Sequence, residues 1–480
     1  MTQLHELSAV DQGAAVARRD LSPVDLAEHY LERIGRLSDE VGAYVTVTAD
    51  LAVDQARRLE VEALRGELRS PLHGVPVPVK DLNLTRGIRT TFGSAAFADN
   101  VPEVDDHVVT RLRDAGTVLL GKTSASELGL PCYTEPALVP PSRTPWDLAR
   151  MAGGSSGGAA AAVAAGLAPV AHGNDGGGSV RIPASCCGLV GLKPSRGRVS
   201  GGPVRGDVSG LPCEGVLART VTDAAALLDT MAGPMPGDPH WAPPLPAGET
   251  FLGHTGREPG RLRIGRFATA VIAEVDVDPE CLRAYEETSR LLDSLGHTVV
   301  DVPAPLPHDV VPHFETVWSV LSTLAPVERA REGELRPFTR YLRERGRTQT
   351  GPALAMAIVS LQVLARQAVA RLSAYDAVLS PTLAVPPLPV GAIRDDDDPA
   401  GDFEANKRFT PFTAVWNLTG QPAVTLPLHW TPDGLPVGVM LAGRPAGEAG
   451  LLALCAQVEA AAGTVWLDGG PGRAARPACW

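Results

Sequence analysis

Two clusters of glycine and serine between residues 151 and 198 constrain this chain more than any other feature. They are Gly153–Gly158, which contains two serines, and Gly176–Ser179, and the alanine-rich run Ala159–Leu167 lies between them. Glycine clusters mark places where the backbone adopts positive φ or approaches another group closely, at a cost in conformational entropy. A flexible linker has a similar composition. The apolar, helix-forming run between the clusters instead favours a buried, shaped site.

The composition narrows the classes of protein. The 480 residues are 44% hydrophobic and 20% charged, which predicts a large core rather than disorder. A formal net charge of -12 argues against a nucleic-acid partner, because such proteins carry a basic face. Seven cysteines, an odd number that includes the adjacent Cys186 and Cys187, predict reduced thiols in the cytoplasm. CxxC and HExxH patterns are absent, so the sequence predicts no metal site.

No segment of the sequence predicts membrane targeting. The N-terminal residues lack the apolar stretch of a signal peptide. The longest apolar run, Gly157–Ala171, is too short to span a bilayer and is interrupted by Gly166 and Pro169. We therefore expect a soluble cytoplasmic protein without a membrane partner.

The hydrophobic pattern predicts an α/β fold. Residues 1–65 are expected to be helical, with Ser22 as an N-cap, Pro23 in the first turn and Gly66 at a C-terminal end. Strands are expected over residues 72–82, with prolines typical of an edge, and over 118–120. Further along, the pattern predicts strands at 262–267, 298–302, 377–381, 423–427 and 437–442, and helices at 159–167, 221–231, 279–295, 309–374 and 450–462.

Lysine is rare here, and one lysine occupies an unusual place. Only four of the 43 basic residues are lysines, and Lys80 ends the apolar run VPVPVK. A desolvated lysine can lose its proton near neutral pH and act as a base, which arginine cannot do. A snorkelling side chain at a strand end is the alternative interpretation.

Ser179 follows three glycines, and the backbone amides of this loop could converge on one oxygen atom. Such a nest stabilises the oxyanion formed when a serine attacks a carbonyl. It could also cradle a phosphate, but no GxGxxG pattern occurs in the chain.

Two short motif matches are interpreted as chance. Gly116–Thr123 fits the phosphate-loop pattern GxxxxGK[ST], but its inner residues form an apolar strand where that motif needs a flexible loop. Gly153–Gly157 fits GxSxG, the nucleophile elbow of α/β-hydrolases. That elbow follows a strand, whereas the segment upstream here, Pro140–Pro145, is proline-rich and irregular.

The sequences GGSSGGAAAAVAAG and HGNDGGGSVRIPASCCGLVGLKPSRGR, with VPVKDLN upstream, closely resemble the amidase signature family. The resemblance covers nearly the whole chain and is least characteristic between residues 232 and 375. It implies one large α/β domain in which helices cover both faces of a central mixed β-sheet. Within that domain we expect an N-terminal helical segment (1–65), a core carrying the signature (66–232) and a C-terminal α/β part (261–475), with 309–374 on the substrate side.

The resemblance also implies roles for residues. Lys80 would be a neutral base, Ser155 a bridging serine held by a cis peptide bond after Gly154, and Ser179 the nucleophile. The oxyanion hole would consist of the amides of Gly176, Gly177, Gly178 and Ser179. Candidate substrate-binding residues are Tyr133, Gly154, Phe314, Trp318 and Trp416.

Charged neighbours of these residues are expected to be structural. Asp175 and Arg181 would fix the conformation of the second glycine loop. Asp81 should point away from Lys80, because contact with the amine would raise the lysine pKa. Lys193 is interpreted as structural.

The expected function is that of an amidase acting on small linear or cyclic amides without a cofactor, with esters as further candidates. Gly173–Ser179 and Ala184–Cys187 resemble the branch of the family that contains arylamidases and 6-aminohexanoate cyclic-dimer hydrolase. The expected partner is a small-molecule amide, with no nucleic acid and no membrane, and a homodimer stays open. A glutamine-dependent amidotransferase subunit working within a complex, or a non-catalytic binding protein of the same fold, are the alternatives.

Overall fold

Two β-sheets organise the part of the chain that the computed structural model describes, residues 3–463. One sheet has three strands and the other has eight. In chain order the strands are β1 (Tyr44–Val47), β2 (Val79–Lys80), β3 (Gly121–Thr123), β4 (Val170–Asp175), β5 (Val190–Lys193), β6 (Cys213–Ala218), β7 (Arg263–Arg266), β8 (Thr298–Asp301), β9 (Ala377–Pro381), β10 (Ala423–Trp430) and β11 (Pro436–Gly443).

The larger sheet is mixed. Its strands lie in the order β4-β6-β5-β10-β11-β9-β7-β8. Neighbours are antiparallel from β4 as far as β9, whereas β7 runs parallel to both β9 and β8. The smaller sheet has the order β1-β3-β2, with β1 antiparallel and β2 parallel to β3.

Helices cover both faces of the larger sheet. Within the described residues the α-helices are α1 (Ala9–Ala17), α2 (Pro23–Val41), α3 (Ala49–Arg65), α4 (His107–Asp114), α5 (Gly157–Ala164), α6 (Arg181–Cys187), α7 (Val221–Met231), α8 (Phe251–His254), α9 (Pro279–Ser294), α10 (Val310–Thr323), α11 (Pro337–Arg347), α12 (Gly351–Leu372), α13 (Pro399–Phe409), α14 (Val415–Thr419) and α15 (Glu448–Ala462). On β11, Val439 and Leu441 pack in one apolar cluster with α7, α9 and α15. Met440 and Ala442 pack in another with α10, α12 and α14. Because successive strand residues point to opposite faces, this confirms the predicted fold class.

The predicted helix ends are confirmed where the sequence carries capping residues. Ser22 Oγ accepts a hydrogen bond from the amide of Val24 at 3.0 Å, and Pro23 is the first residue of α2. Gly66 ends α3 in the left-handed conformation, with φ of 79°. Both caps satisfy backbone groups that a helix end leaves without partners.

The predicted strand at residues 72–82 is shorter in the structure, and the one at 118–120 is displaced. Hydrogen bonds do run between the segments, from the amide of Val77 to the Val118 carbonyl at 2.8 Å and from the amide of Val118 to the Val75 carbonyl at 3.0 Å. Proline has no amide hydrogen, so Pro76 and Pro78 interrupt this ladder. Continuous pairing is therefore confined to β2 and β3, where Lys80 lies opposite Thr123.

Residues 1–65 are not helical throughout, because β1 lies between α2 and α3. Gly42 ends α2 in the left-handed conformation, and the next residues pair with β3. The sequence also left β4, β5 and α13 without a prediction. Residues 464–475 of the expected C-terminal part lie outside the described residues.

One helix departs from the expectation of a chain without membrane-length segments. Among residues 3–463, α12 alone is long and apolar enough to cross a bilayer, with a mean hydropathy of 1.6. Its buried residues Ala357, Leu361 and Ala368 belong to the same apolar cluster as α10 and α14. A single helix of this kind is weak evidence of a membrane span, so the absence of a membrane partner stays a prediction.

Candidate active site

Lys80 is completely buried at the end of β2, and its amine meets the first serine cluster. Nζ lies 2.8 Å from Ser155 Oγ. The same nitrogen lies 2.7 Å from Oδ1 and 3.2 Å from the main-chain oxygen of Asn174. The structure thus brings together Lys80 and Ser155, which are 75 residues apart in sequence.

Burial lowers the pKa of Lys80 to about 7. Removing an ammonium group from water disfavours its charged form. The carboxylates of Glu214 and Asp175 oppose this shift, and the guanidinium of Arg205 adds to it. Lys80 is therefore able to exchange a proton near neutral pH.

The Gly154–Ser155 peptide bond is cis, as the resemblance implied. Gly154 has no room for a side chain, because a Cβ atom there would lie 2.7 Å from Ser126 Oγ. The main-chain oxygen of Ser155 accepts a hydrogen bond from the Ser126 amide at 3.1 Å. The next residue, Ser156, donates from its amide to the carbonyl of Ser179 at 3.1 Å, so the two serine clusters are in contact.

The second glycine loop is fixed by a buried ion pair. Asp175 Oδ1 accepts from the Gly178 amide at 2.7 Å, and Oδ2 accepts from the Val180 amide at 3.2 Å. Arg181 donates to both carboxylate oxygens, at 2.8 and 2.9 Å. Burial opposes ionisation of Asp175, but the Arg181 guanidinium overcomes it and holds the pKa of that carboxyl well below its usual range. Asp175 and Arg181 therefore hold the loop in place.

Gly178 differs from its neighbours in the loop. Its φ of 135° is rarely adopted by other residues, and a Cβ atom there would lie 2.3 Å from Thr413 Oγ1. Its amide is already bonded to Asp175, so it cannot also donate to an oxyanion. The amides of Gly176, Gly177 and Ser179 have no acceptor within residues 3–463. Of the four amides expected in the oxyanion hole, these three therefore remain available as donors.

A cavity of about 490 Å³ opens beside the loop. Its polar lining includes Ser179, Asn406, Lys407 and Thr410. The remaining lining residues are mainly apolar: Leu130, Pro131, Cys132, Gly177, Ile182, Ile272, Phe314, Trp318, Phe338, Phe403 and Ala414. Ser179 is thus the member of the expected triad that faces an open space.

Two of the candidate pocket aromatics line this cavity. The rings of Phe314 and Trp318 stack with centroids 5.5 Å apart. A Cβ atom on Gly176 would lie 3.4 Å from the Trp318 ring, so this ring covers the glycine loop. Phe314 and Trp318 therefore form an aromatic wall of the cavity that Ser179 also lines.

The other candidate pocket residues lie elsewhere. Tyr133 lines a separate cavity of about 280 Å³, and its hydroxyl donates to Asp402 Oδ2 at 2.6 Å. Trp416 is fully buried in the core with Phe267 and does not line the cavity beside Ser179. Its bulk and apolar character account for that position. Gly154 is enclosed in the protein next to Ser155.

The remaining charged neighbours have structural partners. Asp81 accepts from the Thr91 amide at 2.9 Å and lies 3.7 Å from Lys122 Nζ, so it points away from Lys80. Lys122, in the phosphate-loop match, is itself buried and donates to the carbonyl of Asn83 at 2.6 Å. Lys193 donates to its neighbouring carbonyl at 2.8 Å.

No group of three or more His, Cys, Asp or Glu side chains in the described ranges could hold a metal ion. The six described cysteines are free thiols, and Cys186 and Cys187 are buried among apolar residues.

Sequence reasoning missed three polar residues beneath Lys80. His172 Nε2 lies 2.8 Å from Glu214 Oε2, and Asn83 Nδ2 donates to the other oxygen of Glu214 at 3.1 Å. All three side chains are buried. They come from three separate segments; Asn83 and His172 lie within the quoted motifs VPVKDLN and HGNDGGGS, but sequence reasoning gave them no role. For Glu214, the available signal was a carboxylate within an otherwise apolar strand, CEGVLA.

The chain is similar to known amidases over nearly its whole length. The family model described as Amidase matches residues 25–452. The 6-aminohexanoate-cyclic-dimer hydrolase of Paenarthrobacter ureafaciens is 36% identical, over 94% of this chain and 94% of that protein. The acylamidase of Rhodococcus erythropolis is 33% identical, over 98% of each chain.

A solved structure of 6-aminohexanoate cyclic dimer hydrolase with its substrate has the same fold. The TM-score is 0.87 at 31% identity, and the match covers 99% of this chain and 100% of that one. Sequence and structure therefore agree over essentially the full length of both proteins. The chain belongs to the amidase signature family and is a hydrolase of amide carbon–nitrogen bonds.

Proposed function

We propose that the chain hydrolyses small carboxylic amides through an acyl-enzyme, with Ser179 as nucleophile, Ser155 as proton bridge and Lys80 as base. The observation that carries this proposal is the 2.8 Å contact between the buried Lys80 amine and Ser155 Oγ. A serine hydroxyl is a weak nucleophile until a base accepts its proton. A lysine whose pKa is lowered to about 7 can be that base at neutral pH.

In the acylation step, neutral Lys80 accepts the hydroxyl proton of Ser155, which accepts the proton of Ser179. The Ser179 oxygen then forms a bond to the amide carbonyl carbon. Ser155 returns a proton to the amide nitrogen, the carbon–nitrogen bond breaks, and the amine or ammonia leaves. The hydrogen bond from the Ser156 amide to the Ser179 carbonyl supports this relay because it keeps the two serine segments adjacent.

Negative charge develops on the carbonyl oxygen during the attack. We assign its stabilisation to the amides of Gly176, Gly177 and Ser179, since that of Gly178 is bonded to Asp175. Preorganised donors of this kind commonly contribute about 3 kcal/mol each to lowering the barrier. Lys80 returns its proton to Ser155 once the amine has left. In deacylation a water molecule passes a proton through Ser155 to Lys80 and attacks the ester carbon. The bond to Ser179 then breaks, the acid leaves, and Lys80 returns the proton through Ser155 to the Ser179 oxygen.

The cavity supports an apolar acyl group as the preferred substrate feature. Phe314, Trp318 and Phe338 line it together with aliphatic residues. Burial of apolar substrate surface against such a wall is favourable, while the few polar side chains can orient the amide. Linear and cyclic amides are both included in the proposal, and esters are included because their carbonyl carbon accepts the same attack. The free cysteines support a cytoplasmic location.

The first test labels the nucleophile. Purified wild-type chain should react with a fluorophosphonate probe at Ser179, identified by mass spectrometry of the modified peptide, and should hydrolyse an anilide such as 4-nitroacetanilide without glutamine or another subunit. Ser179→Ala should abolish both, because the attacking oxygen is gone. Thr410→Ala, which alters a lining hydroxyl of the same cavity, is the matched control and should still be labelled. Full anilide hydrolysis by Ser179→Ala would refute the proposal.

A further inference from the structure

A series of hydrogen bonds runs from the side-chain amine of Lys80 through four other residues and back to the main-chain amide of Lys80. Its members are Lys80, Asn174, Asn83, Glu214 and His172, here called the Glu214 circuit. Lys80 Nζ contacts Asn174 Oδ1 at 2.7 Å, and Asn174 Nδ2 contacts Asn83 Oδ1 at 3.1 Å. Asn83 Nδ2 then contacts Glu214 Oε1 at 3.1 Å, and Glu214 Oε2 contacts His172 Nε2 at 2.8 Å. The circuit closes where the main-chain amide of Lys80 lies 3.4 Å from His172 Nδ1.

The carboxylate of Glu214 sets the direction of every bond in this circuit. An ionised carboxylate can only accept hydrogen bonds. Asn83 must therefore present its NH₂ group to Glu214 and its oxygen to Asn174. Asn174 in turn presents its NH₂ group to Asn83 and its oxygen to Lys80. His172 donates from Nε2 to Glu214, which leaves Nδ1 to accept from the Lys80 amide.

The direction of the circuit determines how the neutral amine is oriented. A neutral amine has two hydrogens and one lone pair, and the hydrogens face the two oxygens of Asn174, at 2.7 and 3.2 Å. The third contact, Ser155 Oγ at 2.8 Å, is then left for the lone pair. We propose that Glu214 and Asn174 are positioning residues that aim the lone pair of Lys80 at the Ser155 hydroxyl. This inference rests on the proposed function, in which Lys80 is the base.

Charge in the circuit also acts on the amine. The groups facing Lys80 are Glu214 on β6, Asp175 and His172 on β4, and Arg205. Burial would raise the pKa of Glu214, but the hydrogen bond from His172, the guanidinium of Arg205 and the hydrogen bond from Asn83 hold it below its ordinary value. Glu214 therefore stays ionised at neutral pH, and its negative charge favours the protonated form of Lys80.

The experiment compares Glu214→Gln and Asn174→Asp. Removal of the negative charge in Glu214→Gln should move the acid limb of the kcat/KM profile for 4-nitroacetanilide to lower pH, by about one unit. A new carboxylate beside the amine in Asn174→Asp should move it to higher pH, by about one unit or more. Glu214→Gln should also lose kcat at least about tenfold on the plateau, because without the carboxylate the direction of the circuit is no longer fixed and the lone pair is no longer aimed. KM should change less than about threefold, since neither residue lines the cavity.

The matched control is Glu448→Gln. Glu448, the first residue of α15, is also a buried carboxylate. Its Oε2 lies 2.9 Å from Nη2 of Arg198. Its replacement should lower the Tm and leave the acid limb where it is in the wild type. If Glu214→Gln does not fold, Asn174→Asp alone tests the inference. A shift of its acid limb to higher pH supports the inference, and any other result contradicts it.

An unchanged acid limb in every folded circuit variant, whatever its kcat, would overturn the inference and leave these residues a purely structural role. Shifts of the same sign in both variants would overturn it as well. These outcomes are separate from a failure of the proposed function, which would appear as retained activity in Ser179→Ala.

Discussion

At the scale of single residues, the proposed chemistry depends on a lysine that is kept out of water. Lys80 is fully buried, and desolvation lowers its pKa to about 7 despite two carboxylates that favour the charged form. Arginine at this place would keep its charge at every relevant pH. Proton acceptance therefore distinguishes the two cations more sharply than size or charge does.

We expect Lys80→Arg to lose at least about a thousandfold in kcat/KM, because the guanidinium cannot take the Ser155 proton. In the wild type, kcat/KM should fall as the pH drops below about 7, since protonation of Lys80 removes the base. Both are measured with a fixed anilide substrate between pH 5 and 9, values chosen at roughly two units on either side of that pKa. Lys193→Arg, at another buried lysine, serves as the comparison for fold damage. Wild-type activity in Lys80→Arg would contradict the assignment of the base.

At the scale of elements, the loop between β4 and α6 combines a rigid backbone with free donors. The buried Asp175–Arg181 ion pair fixes the loop on the side of the core. The Trp318 ring lies against Gly176 on the side of the cavity. Each glycine in the loop consequently has its own tolerance for a side chain.

We expect Gly178→Ala to be damaging and Gly176→Ala to be mild. At Gly178 a Cβ atom would lie 2.3 Å from Thr413 Oγ1, and φ is 135°. At Gly176 the nearest atom would be the Trp318 ring at 3.4 Å, close to an ordinary contact. Gly178→Ala should lose about a hundredfold in kcat and several degrees in Tm, of the order known for strained backbone positions and lost oxyanion donors. Equal Tm and kcat in the two variants would show that the loop is not rigid.

The helix ends that sequence reasoning found carry explicit signals, whereas the missed strand β4 does not. Ser22, Pro23 and Gly66 mark helix ends by their own chemistry, and the structure has these ends. In β4, three of the six residues of VAHGND are Gly, Asn and Asp, types that have low strand propensity, and His172 is a fourth polar or small residue. Among them, His172 and Asn174 contact Lys80, and Asp175 holds the glycine loop. Local pattern and function conflict at such positions, so the strand could not be predicted from its residues.

At the scale of the whole molecule, the site is assembled from distant segments. Sequence reasoning singled out Lys80, Ser155 and the glycine loop because the family motifs contain them. The contact of Asn83 with Glu214 joins residues 131 positions apart, and that of Lys80 with Asn174 joins residues 94 apart. Periodicity and propensity describe residues that are close in sequence. Contacts between residues so distant in sequence therefore could not be predicted and are known only from the folded structure.

Burial of Lys80 also has a consequence for the stability of the entire fold. The pKa of the Lys80 amine is about 7 in the folded protein, whereas its ordinary value, expected in the unfolded chain, is 10.5. Below pH 7 both states hold the proton, and the full cost of burying the charge destabilises the fold. As the pH rises from 7 to 10.5 the unfolded chain binds more protons than the folded one, so this cost is progressively relieved.

We therefore expect Lys80→Met to be more stable than the wild type at pH 7, with an advantage that shrinks as the pH rises. The difference in free energy of unfolding should fall by up to about 1.4 kcal/mol per pH unit between pH 7 and 10.5. Urea unfolding of both proteins at a series of pH values measures it. Ser155→Ala, which removes the partner hydroxyl but keeps the lysine, should show a difference from the wild type with little pH dependence. If the curves of Lys80→Met and wild type run parallel across this range, the lysine has the same pKa folded and unfolded, and it cannot be the neutral base.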